Sequence, residues 1–268
     1  MGSFFLYLFM DNTKPIGLFD SGIGGTTICK EVNLLLPYEN TIYLADSKNA
    51  PYGQRTKEQI IALSIKNIDY LISQHCKLII VACNTATTNA ISELRAKYSL
   101  PIIGIEPAVK PATILTKTAV IGVLATKGTL TSELFSNTVK KYSDIVIVEQ
   151  IGYDLVKLIE EGKINDPEMD YLLQQYLEPM VIKGMDTLVL GCTHYPYLIS
   201  KIKKLIPEHI NIIDSGAAVA KHTRKVLEEN NLLNTGKTIG KRLFYTNKEV
   251  EILRLFVEDK SSVHYLDF

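Results

Sequence analysis

The sequence of 268 residues carries no surplus of charge: Lys and Arg total 29, Asp and Glu total 29, and the formal net charge is zero. A chain without a basic excess has no electrostatic footprint for nucleic acid or an anionic membrane, so neither is expected as a partner. Cysteine is scarce, with four residues at positions 29, 76, 83 and 192 and no close pairing pattern. That usage excludes a disulfide framework and points to a reducing, cytoplasmic compartment. Long hydrophobic runs are missing too. The apolar stretch of Phe4, Phe5, Leu6, Leu8, Phe9 and Met10 is too short to span a bilayer. It has no basic n-region and no small-residue cleavage pattern, so it does not read as a signal peptide. Residues 1–13 are therefore expected to be a dispensable extension, with Met10 as the natural start. No segment is low in complexity or reads as a disordered linker. The remaining composition is that of a globular protein, large enough for one big domain or two smaller ones and for a core that needs neither metal nor disulfide. The partner that suits such a chain is a small molecule.

Runs rich in Val and Ile recur at 15–19, 41–45, 78–82, 101–105, 119–124, 145–150, 187–191, 210–213 and 242–246. Helical patterns separate most of them. Within 57–73, Ile61, Ile65, Ile68 and Ile72 are spaced four, three and four apart, which predicts one apolar helical face. Strand and helix in alternation predict an α/β fold with mainly parallel sheets flanked by helices. The segment IGIEPAVKPA at 102–111, stiffened by Pro107 and Pro111, marks one crossing between domains, and a second falls near Asp214. FDSGIGG at 19–25 and IDSGAAV at 213–219 echo each other, which suggests two related halves. The expected division is a first α/β domain at 14–105 plus 214–268 and a second at 106–213, pseudo-symmetric, with the active site in the cleft between them.

A second echo carries the chemistry. LIIVACNTAT at 78–87 and TLVLGCTHYP at 187–196 each run from aliphatic residues through a small residue to a cysteine and then to hydrogen-bonding side chains. Cys83 and Cys192 should thus stand at the carboxyl ends of buried strands, where open α/β sheets bind ligands. Two thiols facing one ligand suggest proton transfer from two sides. A free thiol is only slightly ionised near neutrality, so each needs help. A helix N-terminus after each strand would favour the thiolate. His194 can assist Cys192 if the turn folds back, and Asp20, at another strand end, can serve Cys83. Cys29 and Cys76 lack a following polar triplet and read as small buried hydrophobes.

Three other readings attach to the same residues. Gly22, Gly24 and Gly25 follow a strand and open a helix, so their amides can approach a carboxylate or phosphate. The lysine of a P-loop is missing, and Thr27 stands where a dinucleotide fingerprint has its third glycine. Asp46 lies 24 residues beyond Gly22, near the place of a ribose-binding acid, which keeps a nucleotide enzyme as an alternative. That alternative leaves both cysteine motifs and the loop SKNAPYGQRT at 47–56 unexplained. A zinc site of Cys83, Cys192 and His194 lacks any CxxC or HxxxH pair and a fourth ligand. A non-enzymatic ligand-binding protein of the two-domain periplasmic kind is disfavoured by the paired thiols and the missing signal peptide.

In their order along the chain, FDSGIGG, ADSKNAPYG, VACNTAT, LGCTHYP and IDSGAAVA resemble the glutamate racemases, and the likeness covers nearly everything after residue 14. The resemblance implies interconversion of L- and D-glutamate without any cofactor or metal, in two α/β domains enclosing the substrate. It further implies a supply of D-glutamate for peptidoglycan and a homodimer. It makes Cys83 and Cys192 the proton donors and acceptors on opposite faces of the α-carbon, with Asp20 supporting Cys83 and His194 supporting Cys192. Ser21, Tyr52, Gly53, Asn84, Thr85, Thr193 and His194, with Asp20, become the substrate-binding positions. Glu160 matches an acidic residue near the second thiol, with adjacent Glu161 as the other choice of register. The chain departs from the family where many relatives have Cys then Pro: Tyr153 and Asp154 stand there. Aspartate, shorter by one methylene, is the nearest alternative substrate.

Overall fold

The computed structural model describes residues 12–268, so the expectation about the N-terminal extension falls mostly outside the described residues. Of that segment, Asn12 and Thr13 offer their carbonyls to Lys77 Nζ (2.6 Å) and Asn40 Nδ2 (2.7 Å).

Each aliphatic run becomes a strand: β1 Ile16–Asp20, β2 Thr41–Ala45, β3 Leu78–Val81, β4 Ile102–Gly104, β5 Val120–Ala125, β6 Val146–Ile151, β7 Thr187–Gly191, β8 Asn211–Ile213 and β9 Arg242–Thr246. A tenth, β10 Val263–Tyr265, was not legible in the sequence. It is three residues long at a sheet edge with two of them exposed, too short for any alternation to register. Every residue of β1, β2, β3 and β7 is buried, as expected of parallel strands covered on both faces.

The strands form two parallel sheets flanked by helices, six-stranded in the order β10-β9-β2-β1-β3-β4 and four-stranded in the order β6-β5-β7-β8. The same local order appears twice, because β1 lies between β2 and β3 just as β5 lies between β6 and β7. Where the winding reverses, the connections leave in opposite directions and open a crevice beyond the strand ends. Asp20 closes β1, and Cys83 follows β3 by two residues. Cys192 directly follows β7.

The helix at 57–73 forms as predicted, but its buried side is Ile60, Ser64, Asn67, Ile68 and Leu71, while Ile72 is exposed. Two polar residues on the buried face hid it from a purely apolar count. Ser64 Oγ donates to the Ile60 carbonyl (2.7 Å), and Asn67 Nδ2 donates to Tyr52 Oη (3.2 Å). Pro111 lies in the first turn of the helix Val109–Leu115, where a missing N–H costs no helical bond.

At the far end of the first sheet Lys77 and Glu39 form an ion pair of 2.5 Å with side chains 2% and 1% exposed. Lys77 Nζ also donates to the Leu232 carbonyl (2.8 Å), and Glu39 accepts from the Asn234 amide (2.8 Å). The pair thereby ties the starts of β2 and β3 to the segment beyond residue 229. Removing one partner strands the other charge in the interior, so Lys77→Ala should lose about 3–5 kcal/mol of stability. Lys57→Ala, which breaks an exposed pair with Glu93, should lose no more than about 1 kcal/mol. Urea unfolding of both variants checks the contrast.

Candidate active site

Cys83 is the N-cap of the helix Asn84–Lys97, and its sulfur accepts the Ala86 amide at 3.4 Å. The expected help from the helix end is thus present, but it is outweighed. Burial, followed by the negative charge of Asp20, holds the Cys83 thiol well above its ordinary range. The thiol therefore stays protonated beside the Asp20 carboxylate. Asp20 itself is fully buried, and burial raises its pKa against the pull of nearby His194. Its oxygens accept from the Ser21 amide (2.6 Å), the Gly25 amide (2.6 Å) and Thr193 Oγ1 (3.2 Å).

Cys192 differs from the expectation of a second helix N-terminus. It opens a tight turn, and a short 3₁₀ segment Tyr195–Leu198 follows. What faces its sulfur is His194 Nδ1 at 3.7 Å, because the Tyr195 amide bonds back to the Cys192 carbonyl (3.0 Å) and folds the turn. On the other edge of the ring, His194 Nε2 lies 2.6 Å from Glu160 Oε1. Burial pulls the imidazole toward neutrality, yet the bonds to Cys192 and Glu160 prevail and hold it well above its ordinary value. The ring thus sits between the Glu160 carboxylate and the Gly24 amide (3.2 Å) at Nε2 on one edge and the Cys192 sulfur at Nδ1 on the other. One sulfur is therefore paired with an anion and the other with a cation.

Glu160 and Glu161 part ways in the structure. Glu160 is buried at the end of the helix Leu155–Glu160, and accepts from His194, the Ile23 amide (2.6 Å) and Ser47 Oγ (2.8 Å). Glu161 points outward to Lys163 (2.6 Å). The departure at Tyr153 and Asp154 lies just ahead of this helix, with Tyr153 exposed and Asp154 in the left-handed region, and Glu160 keeps its place. The glycine turn explains itself here. A Cβ on Gly22 would collide with the Glu160 carboxylate, and one on Gly24 with the His194 ring. The anions held by the turn amides are the protein's own carboxylates, Glu160 and Asp20, rather than an incoming ligand.

One small cavity is lined by both cysteines. Ser21, Tyr52, Gly53, Asn84, Thr85, Thr193 and His194 also face it, so the structure brings together every sequence-selected position except Asp20 and Glu160, which stand behind the lining. Pro51, from the loop SKNAPYGQRT, completes the wall with Thr126 and Val156, which were missed. Thr126 follows the carboxyl end of β5, so the strand-end rule that found the cysteines had a signal there as well. Its hydroxyl shares a 2.8 Å hydrogen bond with that of Thr85, joining the two sides of the cavity. A larger open groove, lined by residues such as Lys30, Leu34, Ile239 and Phe256, contains neither sulfur. The smaller cavity, which holds both thiols, is the candidate site.

The competing readings lose their residues. Asp46 is buried under Tyr52, Asn49 and Asn247 and is not offered to a ribose. Among the described residues no cluster of three or more His, Cys, Asp or Glu side chains is arranged for a metal ion. No helix among them is long and apolar enough to cross a membrane. Cys29 and Cys76 are buried apart from the cavity, with thiols pushed up to about 12 by burial.

A parallel α/β protein with two thiols and their acid–base partners around one small cavity is the class that fold and site define. A sequence model described as Asp/Glu/hydantoin racemase matches residues 28–223, and the chain belongs to that family. The glutamate racemase of Ectopseudomonas mendocina is 41% identical over 93% of this chain and 97% of its own length. Among solved structures, glutamate racemase isoform RacE1 from Bacillus anthracis superposes with a TM-score of 0.86 at 30% identity, covering 96% of this chain and 98% of its own. The Francisella tularensis glutamate racemase, solved in complex with D-glutamate, gives 0.83 at 29% identity with the same coverage.

The raised His194 pKa means that its cation contributes fully to stability below 6.5, the ordinary value, and that this contribution is lost only as pH rises through the higher folded value. Imidazole ¹⁵N NMR should find both nitrogens of His194 protonated as the pH passes 6.5 in the wild type. In Glu160→Gln the ring should lose its proton at distinctly lower pH. Titration of His194 at the same pH in both proteins contradicts the pairing.

Proposed function

We propose that this protein is a glutamate racemase, interconverting L- and D-glutamate by proton transfer between Cys83 and Cys192 without a cofactor. The observation that carries the proposal is the pairing of one cavity with two sulfurs in opposite electrostatic settings. A proton shuttle between faces needs one sulfur able to take and one able to give. Cys192 faces the His194 ring at 3.7 Å, whereas Cys83 beside Asp20 keeps its hydrogen.

With substrate between them, Cys192 removes the α-proton from one face, forming S–H as C–H breaks. The Cys83 S–H then breaks as a new C–H bond forms on the other face, and configuration inverts. The sulfurs exchange protonation states and are poised for the reverse reaction, with Asp20 and His194 as their proton partners. General acid–base catalysis supplies about 10²- to 10⁴-fold, which is not enough for so weak a carbon acid. The remainder falls to electrostatic stabilisation in a water-poor cavity. Asn84, Thr85, Thr193, Ser21 and the Tyr52–Gly53 wall are the groups offered to the carboxylates and amine. Relatives named glutamate racemase at 40–43% identity favour glutamate over aspartate.

The same proposal takes the two sheets as the cores of two domains, 14–105 plus 214–268 and 106–213, closing on substrate. It assigns the product to peptidoglycan synthesis, and the enzyme to the cytoplasm as a homodimer.

Cys83→Ser and Cys192→Ser should each lower kcat/KM by at least about 10²- to 10⁴-fold while glutamate still binds, as read by polarimetry and calorimetry. Near wild-type racemisation by either variant refutes the scheme. Aspartate should be turned over with kcat/KM lower by about 10- to 200-fold, the value of one methylene in a pocket.

A further inference from the structure

Asn247 is 4% exposed in the turn after β9, and it does not line the cavity. Both ends of its side-chain amide bond to one other segment. Nδ2 donates to Asp46 Oδ1 at 2.6 Å, and Oδ1 accepts the Lys48 amide at 2.9 Å. Asp46 is fully buried, and among the described residues no cation lies within ion-pair distance of it. Its charge is met instead by neutral donors: Asn247, Asn49 Nδ2 (2.8 Å) and Tyr52 Oη (2.5 Å).

The segment clamped in this way reaches both sides of the site. Tyr52 donates its hydroxyl to Asp46 and lines the cavity together with Cys83. Burial, then the charge of Asp46, keeps that hydroxyl protonated, so it remains a donor to Asp46. Ser47 Oγ donates to Glu160, which in turn holds His194 against Cys192. Residues 46–52 thus connect Asn247 to the wall that holds Cys83 and to the Glu160–His194 pair beside Cys192.

We infer that Asn247 is a positioning residue for the racemisation proposed above, holding Asp46 and Lys48 so that Ser47 and Tyr52 keep the two sulfur environments in register. The physical basis is preorganisation: a displacement of about 1 Å at a reacting geometry can cost about 10²-fold in rate. Nothing in the sequence flagged this residue, because its partner lies 201 positions away.

Asn247→Ala removes both bonds, and Asn247→Asp keeps an acceptor for Lys48 while opposing a carboxylate to Asp46 in nearly the same volume. Wild type and both variants are assayed with L-glutamate for kcat and KM and are melted thermally. They are also treated with iodoacetamide, and Cys83 alkylation is followed by peptide mass spectrometry relative to the core thiol Cys29. The expected result is a fall in kcat of about 10- to 100-fold with a smaller change in KM and retained cooperative melting. Cys83 should be alkylated several times faster relative to Cys29. Should Asn247→Ala not fold, Asn247→Asp decides. Wild-type kcat with an unchanged alkylation ratio overturns the inference. A wild type inactive on glutamate overturns the function proposed above instead, and the alkylation ratio alone then decides the role of Asn247.

Discussion

Asp20 and Glu160 are carboxylates buried beyond the reach of bulk water, and the need to pair them organises everything around the two thiols. An unpaired buried carboxylate is costly enough that it must find donors or a cation. Asp20 takes two amides of the glycine turn and the hydroxyl of Thr193. Glu160 takes the Ile23 amide from the middle of the same turn, a hydroxyl from Ser47 and the His194 ring. One six-residue turn therefore anchors the acid beside Cys83 and the acid behind Cys192. The sulfurs inherit opposite surroundings as a consequence, an anion for one and a cation for the other.

Topology makes this convergence possible. The repeated strand order, with β1 between β2 and β3 and β5 between β6 and β7, opens a crevice at the carboxyl edge of each sheet. Side chains arriving at those edges come from distant parts of the chain: Thr193 reaches Asp20 across 173 positions, and Glu160 reaches Ile23 across 137. The site is consequently small and made of parts that hold one another. Its electrostatics are set by neighbours within hydrogen-bond reach rather than by net charge, which is zero for the chain.

Much of this was legible in the sequence. Aliphatic runs ending in polar residues located nine of the ten strands among the described residues, and two such endings contained the cysteines that line the cavity. Features written in polar side chains were harder. The buried face of the helix Lys57–Ser73 includes Ser64 and Asn67, which hydrogen-bond in the interior, so counting isoleucines found Ile68 and the half-buried Ile61 and Ile65 but missed the polar part of that face. The glycine turn was read as a cradle for a ligand anion, when the anions it serves belong to Asp20 and Glu160. Helix-dipole reasoning treated the cysteines alike, yet only Cys83 caps a helix, and there burial and Asp20 outweigh the cap. Long-range pairs such as Asn247 with Asp46 leave no local trace at all.

The central claim is that two sulfurs act on opposite faces of one carbon, the acceptor taking hydrogen from substrate and the donor delivering one that has equilibrated with solvent. Early turnover of unlabelled L-glutamate in D₂O tests this most directly, with the α-deuterium content of each enantiomer read separately by mass spectrometry. The account predicts that the D-glutamate first formed carries deuterium at the α-carbon while the remaining L-glutamate carries almost none. Product that retains the original α-hydrogen, as a single base returning the same proton would give, contradicts it.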